Sequence, residues 1–354
     1  MPVDKQEWTR LAGPFPASLV TNRPEEQLKP NETPNATGLS VTDEGYLVKG
    51  TQPAGTARTV KTYADVVTPD GLVTPAAKAT YEWHYKRLWR LDTSTAILHY
   101  GAPRYTNAYY RQGAGQIDFN EDGTTKFLKM LPIGESGLIL LKTTGAYIIP
   151  NAAGLDGNFS ATDFKQEIKI AGATHAVELD GTVYIVNATG VFAINGNGNT
   201  EEISYPLRGD LPAVGALTVD YEKKLLNIAA THTYDVNNKR WFKYSGSTFV
   251  YETRRISGNG KPGSVDRIGF EFDRTNTADA EMRINFKYDD REWEDSDIKV
   301  LMPHQRGTEA WVQVSAGRGT GTSFKLKITS MPTNIKIKGI WVSQTIYTEE
   351  SRHS

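Results

Sequence analysis

The chain has 354 residues, with 40 lysines and arginines against 41 aspartates and glutamates, for a formal net charge of −1. That length can bury a large core as two domains or one large β domain, and the near-neutral balance gives no global field to draw it onto nucleic acid or anionic lipid. Cysteine is absent, which excludes disulfides, thiolate metal sites and a cysteine nucleophile.

Residues 1–36 read as an extended arm, because Arg10 to Gly38 holds five prolines and few apolar residues in pattern. The opening MPVDKQEWTR is polar and charged, unlike a secretory signal. No apolar run reaches the roughly eighteen residues that span a bilayer. The expectation is a soluble protein made in a cytosol with no membrane-spanning segment. The Asn-x-Thr triplets at Asn31, Asn35 and Asn187 then read as chance.

Residues 37–256 carry short runs rich in Tyr, Val, Ile and Thr, punctuated by Asp-Gly at Asp70, Asp122, Asp156 and Asp180 and by GNGN at Gly196. Many short strands and tight turns predict an all-β fold. Four segments align without gaps: LWRLDTSTAILHY from Leu88, LILLKTTGAYIIP from Leu138, VYIVNATGVFAIN from Val183 and LLNIAATHTYDVN from Leu225. The fourth position is Leu91, Leu141, Val186 or Ile228, the seventh a hydroxyl (Ser94, Thr144, Thr189, Thr231), and the tenth Ile97, Tyr147, Phe192 or Tyr234. The starts are 50, 45 and 42 residues apart. Strand repeats of that period predict a β-propeller of five to seven blades, each about 42–50 residues. A lone hairpin is marginal in water, but stacked blades bury one another's faces.

Residues 257–347 change pattern after SGNGKPGS. Strand-like runs appear at Ile268–Phe272, Met282–Tyr288, Trp311–Val314, Phe324–Ile328 and Ile335–Ile346. These are the last blades or an appended β-sandwich, and residues 348–354 are a polar tail. Lys325, Lys327, Lys336 and Lys338 alternate with apolar residues. That spacing presents them on a face, solvated, guarding an edge, or turned toward DNA phosphates or an acidic partner.

Chemistry-bearing motifs are few. The histidines, His84, His99, His175, His232, His304 and His353, show no two-ligand spacing. The acidic run Tyr288–Asp297 lacks the residue order of a calcium loop and reads as a solvated connection. Asp118–Phe127 faintly matches a sialidase aspartate box, with the serine and tryptophan positions wrong. Gly317–Gly321 lacks the Gly-Lys-Ser/Thr ending of a phosphate loop, and Gly-x-Ser-x-Gly is missing. The expectation is no enzyme, with no catalytic, cofactor or metal residues.

Three stretches resemble the tail nozzle and packaged-DNA stabilisation proteins of short-tailed bacteriophages. In Glu32–Thr56, Asn35, Gly38, Glu44, Gly45, Leu47 and Lys49 occupy that group's opening pattern, with Gly50 where the group has arginine. In the blade pair from Lys86, Leu138, Ile139, Lys142, Gly145 and Tyr147 match its second strand. The ending GRGTGTSFKLKITSMPTNIKIKGIWV is similar to its closing Gly-Arg-Gly and Gly-Ile segments. The resemblance implies a virion protein of the tail: a ring, commonly a homohexamer, that works with the tail adaptor and tail fibre proteins. Double-stranded genomic DNA would pass through its lumen without sequence-specific contact; the lumen and gate residues are not named by it. The alternative is a tail adhesin or binding module for a host-surface glycan or protein. Tyr105–Gln112 is the aromatic cluster such a module would expose.

Overall fold

The computed structural model describes residues 79–103, 113–119, 126–153, 159–164, 168–208, 210–229, 231–244, 250–253, 255–257, 263–274, 280–293, 297–302, 309–315, 320–332 and 335–346, with short strand segments at 9–12, 18–19, 32–33, 36–37, 39–41, 47–49 and 56–57. The chain is all-β and of β-propeller type: among the described residues the only helical pieces are two 3₁₀ turns, Ala173–His175 and Tyr205–Leu207. It divides into two compact units, one of Met1–Pro53, Pro206–Asp210 and Ala230–Ser354, the other of Ala54–Tyr205 and Leu211–Ala229. These follow chain contacts and not the boundaries at 36, 256 and 347.

The second unit holds three four-stranded antiparallel sheets, each in sequence order. The first is Ala79–His84, Arg87–Asp92, Ile97–Tyr100 and Gly115–Asp118; the second Phe127–Ile133, Gly137–Lys142, Gly145–Ile149 and Thr162–Phe164; the third Ala176–Leu179, Thr182–Asn187, Gly190–Ile194 and Thr200–Glu202. A further hairpin, Leu217–Asp220 with Leu225–Ile228, takes Thr56–Ala57 on its free side.

The three predicted repeat copies in this unit fall on the middle hairpins of the three sheets. Their fourth positions, Leu91, Leu141 and Val186, are fully buried. The fourth copy is shared: Leu225–Ile228 belongs to this unit and His232–Asp235 to the other.

Why Leu138–Leu141 is apolar without alternation is answered by its neighbours. Leu138 and Leu140 pack with Trp89, Leu91, Leu98 and Tyr100 of the first sheet. Ile139 and Leu141 pack with Val183, Ile185 and Ile194 of the third. A sheet covered on both faces needs no polar side, and each such side chain contributes about 1.5–3 kcal/mol on burial. This two-sided packing is what stacked blades require.

Turn chemistry sets the register of these hairpins. Asp180 (φ 51°) and Gly181 (φ 74°) form the two-residue link between the first strands of the third sheet, as Asp-Gly predicts. At two of the four hydroxyl positions, Ser94 and Thr189, the acceptor is the side chain two residues earlier. Asp92 Oδ1 accepts from Ser94 N at 3.0 Å, Ser94 Oγ at 2.7 Å and Thr95 N at 3.3 Å. Asn187 Oδ1 accepts from Thr189 N at 2.9 Å and Thr189 Oγ1 at 2.6 Å. These are Asx turns.

The first unit is built on two six-stranded sheets and the hairpin His232–Asp235 with Arg240–Lys243. One sheet runs Glu309–Ser315, Gly263–Arg274, Ile335–Ile346, Leu47–Lys49, Leu39–Val41, with Thr9–Ala12 also on Ile335–Ile346. The other runs Ile298–Met302, Ala280–Tyr288, Ser323–Ser330, Val250–Glu252, Ala36–Thr37, with Ile256–Ser257 also on Ser323–Ser330. Every strand-like run predicted beyond residue 257 lies in one of these strands, and Ile298–Met302 is an addition. Buried residues recur at every second position, as in Ile268, Phe270 and Phe272, and in Met282, Ile284, Phe286 and Tyr288. Half-buried strands show that period. The Tyr288 hydroxyl accepts from Val265 N at 3.1 Å and ties the two sheets together.

Candidate functional site

The turn that closes Ala79–His84 onto Arg87–Asp92 is made by Tyr85 (φ 51°) and Lys86 (φ 60°). Both lie in the left-handed region, where a non-glycine residue costs about 1–2 kcal/mol. Asn-Gly would close this turn without that cost. Strain kept at an exposed position is a pointer to function.

What the turn displays is aromatic. Trp83 is 37% and Tyr85 50% exposed, and the His84 and Tyr85 rings meet edge to face at 6.1 Å. The frame beneath is fixed. Trp89 Nε1 donates to the His84 carbonyl at 3.2 Å. Arg87, almost fully buried, donates from Nη1 to the carbonyls of Gly101 (2.7 Å) and Gly113 (2.5 Å). Its guanidinium also sits 5.1 Å over the Phe159 ring. An exposed indole and an exposed phenol two residues apart on this hairpin offer apolar rings with polar tips, side chains suited to recognition. The aromatic cluster expected from the sequence, Tyr105–Gln112, lies outside the described residues.

A second arrangement joins titratable groups in the other unit. Asp210 Oδ2 accepts from Lys243 Nζ at 2.6 Å and stands 3.8 Å from His232 Nε2. His232 Nδ1 lies 2.9 Å from Thr231 Oγ1. The imidazole is buried, and burial is the largest influence holding its pKa below the ordinary value; Asp210 pulls it up and Lys243 down. Burial thus disfavours the charged form of the imidazole beside the Lys243–Asp210 pair.

The remaining sequence candidates are distributed. His99 and His175 stand in the second unit away from any metal-ligand group, and among the described residues no three such side chains come together. His304 and His353 lie outside the described residues. The acidic run supplies a connector. Asp289 Oδ1 accepts from the backbone and side chains of Thr322 and Ser323, and Asp290 pairs with Arg255 at 2.8 Å. Asp297 accepts from Asn285 Nδ2 at 3.0 Å and from the Thr329 hydroxyl. Asp118 ends a strand, Phe119 and Phe127 pack ring against ring at 5.2 Å, and 120–125 lies outside the described residues. Of Gly317–Gly321, Gly321 pairs with Gly263. The four lysines fall in two different sheets, Lys325 and Lys327 in one, Lys336 and Lys338 in the other.

Sequence reasoning missed the hairpin tip, Arg87 and Asp210. Only the tip left a signal: an aromatic pair in WHYKR where a turn residue belongs.

No protein-family model matches the chain, and no curated protein matches it. Solved structures similar to it include an exo-β-1,3-galactanase from Phanerochaete chrysosporium with β-1,3-galactotriose (10% identity, 92% of this chain and 100% of that one, TM-score 0.25). A glycoside hydrolase family 43 arabinoxylan arabinofuranohydrolase from Bacillus subtilis overlaps 90% of this chain and 70% of its own at 12% identity and TM-score 0.26. The extracellular domain of a hybrid two-component system from B. thetaiotaomicron overlaps 84% and 57% at 10% identity and TM-score 0.33. One expectation is corrected by this finding. The reading of the chain as no enzyme is not retained, because glycoside hydrolases stand among the structures it is similar to. No helix among the described residues is long and apolar enough to cross a membrane.

Proposed function

We propose that the chain is a virion structural protein: one subunit of an oligomeric ring, commonly a hexamer in the group it resembles, that forms the tail nozzle or stopper of a short-tailed bacteriophage. In that role it retains packaged double-stranded DNA and lets it pass on ejection, seated on a tail adaptor and beside tail fibre proteins. The observation that carries this reading is a pairing between two stretches of the resemblance. Leu47, in the opening stretch, pairs with Ile337, in the closing stretch, inside one sheet. The third stretch, Leu138–Pro150, is the middle hairpin of a blade packed on both faces. Segments nearly three hundred residues apart in sequence are thus joined in one sheet, which supports reading them as parts of one structural unit. The near-neutral charge suits a conduit, since a strongly basic wall would hold DNA phosphates tightly. Imaging of the assembled particle tests it: the chain should appear as a ring on the tail axis.

A second reading is favoured by a specific observation, the exposed Trp83 and Tyr85 on their strained turn. In it the propeller is a binding module for a host-surface glycan, with a sugar ring lying on the indole. A glycan array probed with the full chain and with the Trp83→Ala, Tyr85→Ala variant tests this. Binding that the double variant loses supports the module, and a blank array with the intact chain rejects it.

A further inference from the structure

The turn that carries GNGN joins the last two strands of the third sheet, Gly190–Ile194 and Thr200–Glu202. It holds two Asn-Gly pairs in succession, Asn195-Gly196 and Asn197-Gly198. Such pairs share one reactivity. The backbone nitrogen of the glycine can attack the side-chain amide carbon of the asparagine before it, and glycine has no Cβ to crowd that approach. Asn199 is followed by Thr200, whose branched side chain does crowd it. Asn195 and Asn197 are both exposed, so solvent access does not distinguish them.

Their hydrogen bonds do. Asn195 Oδ1 accepts from Asn197 N and from Asn199 N, both at 3.0 Å. Asn195 N donates to the Asn199 carbonyl at 3.0 Å. The next residue, Gly196, is wedged against Gly134 of the second sheet, with a Cβ on either 2.7 Å from the Cα of the other. To face Gly196 N, the Asn195 amide must turn away from both of its donors while its neighbour stays packed. Asn197 stands at the tip of the turn. The bond in the way there runs from Gly198 N to the Asn195 carbonyl at 2.9 Å. Gly198 has φ +77°, a region that glycine enters freely, so the attacking residue can adjust.

We propose that Asn197 is a site of spontaneous deamidation, that the fold selects it over Asn195, and that its conversion loosens the contact between the second and third sheets. The reaction needs water alone. Gly198 N gives up its proton and bonds to Asn197 Cγ, the Cγ–Nδ2 bond breaks, and the amide nitrogen leaves with that proton as ammonia. The cyclic imide then takes up water at one of its two carbonyls and opens to aspartate or to isoaspartate. Isoaspartate routes the main chain through the side-chain carbon and so lengthens the backbone by a methylene. The bonds from Gly198 N and Asn199 N to Asn195 then lose their register, and Gly196 is no longer held firmly on Gly134. The inference stands independently of the ring and glycan readings above.

The test incubates the full chain at mildly alkaline pH and follows the turn by peptide mapping with mass spectrometry, with chromatography separating the aspartate and isoaspartate products. The same chain unfolded in urea is the reference, and there the two pairs should convert at similar rates. In the folded chain Asn197 should convert about fivefold or more faster than Asn195, the worth of about one net hydrogen bond. The thermal midpoint should fall in step with the isoaspartate content. Asn197→Gln, a mild change at an exposed position, should remove both the fast conversion and the fall in midpoint. The proposal is overturned if Asn195 converts as fast as Asn197 in the folded chain, or if Asn197 stays intact over the time in which the unfolded chain reacts. A preference for Asn197 that is as large in urea would assign the selectivity to local sequence and overturn the role of the fold. A midpoint that holds while isoaspartate accumulates would overturn the loosening of the two sheets.

Discussion

Gly134 and Gly196 meet backbone to backbone: a Cβ on either would lie 2.7 Å from the Cα of the other. Gly134 N also donates to the Gly181 carbonyl at 2.7 Å, so turns of the second and third sheets are locked at one point. Gly134 has φ +58°, where an alanine is strained whatever the space. Gly134→Ala should therefore cost about 2–4 kcal/mol, strain and overpacking together. Gly196→Ala, carrying the overpacking term, should cost about 1–3 kcal/mol. Urea unfolding of the two variants checks the order.

Alternate residues of one strand serve different interfaces. Leu140→Ala removes a contact with the first sheet and Ile139→Ala one with the third. Each should cost about 2–5 kcal/mol. Hydrogen exchange should show the first loosening Arg87–Asp92 and the second loosening Thr182–Asn187. Identical exchange maps would mean that the second sheet is not a blade between two neighbours.

Acid should loosen two turns. Burial raises the pKa of Asp92 and of Asp289, but hydrogen bonds outweigh it and leave both below the ordinary value; for Asp92 these come from Ser94 and Thr95, for Asp289 from Thr322 and Ser323. A carboxylate depressed in the folded state stabilises above its unfolded value and loses that contribution as pH falls through the folded value. Asp289→Asn and Asp92→Asn should each cost on the order of 1 kcal/mol at pH 7 and flatten the stability curve below about pH 4. Denaturant midpoints between pH 7 and pH 3 provide the reading.

His232 acts with the opposite chemistry over a higher range. Its pKa is lowered from 6.5, by burial first, so the folded chain resists a proton that the unfolded chain accepts. Stability should fall as pH drops below about 6.5 and level off once the folded-state value is passed. His99 is shifted the same way, again by burial first. In NMR titrations both imidazoles should protonate at lower pH than a free histidine. His232→Gln should remove part of the slope between pH 6.5 and pH 5, and an unchanged slope would assign it elsewhere.

Much of the architecture was legible because it rests on local pattern. Leu91, Leu141, Val186 and Ile228 recur at a fixed place in each copy, and all four are fully buried. Asp180-Gly181 announced its turn. Positions decided by distant chain were not legible. The ammonium of Lys129 is buried on the carbonyls of Ala173 and Ala176, 44 and 47 residues away, and no local pattern marks that partner. Lys325 and Lys336 share a spacing pattern and part company because their strands join different sheets. The hairpin tip was hidden for a related reason: the strain at Tyr85 and Lys86 is a backbone angle, which composition does not encode.

Cryo-electron microscopy of the complete particle, with the chain located by a tag at its carboxyl end, separates the readings. The nozzle reading predicts a closed ring of several copies on the tail axis, with an opening along the DNA path. Single copies displayed at fibre tips, or no copies in the particle, would contradict it.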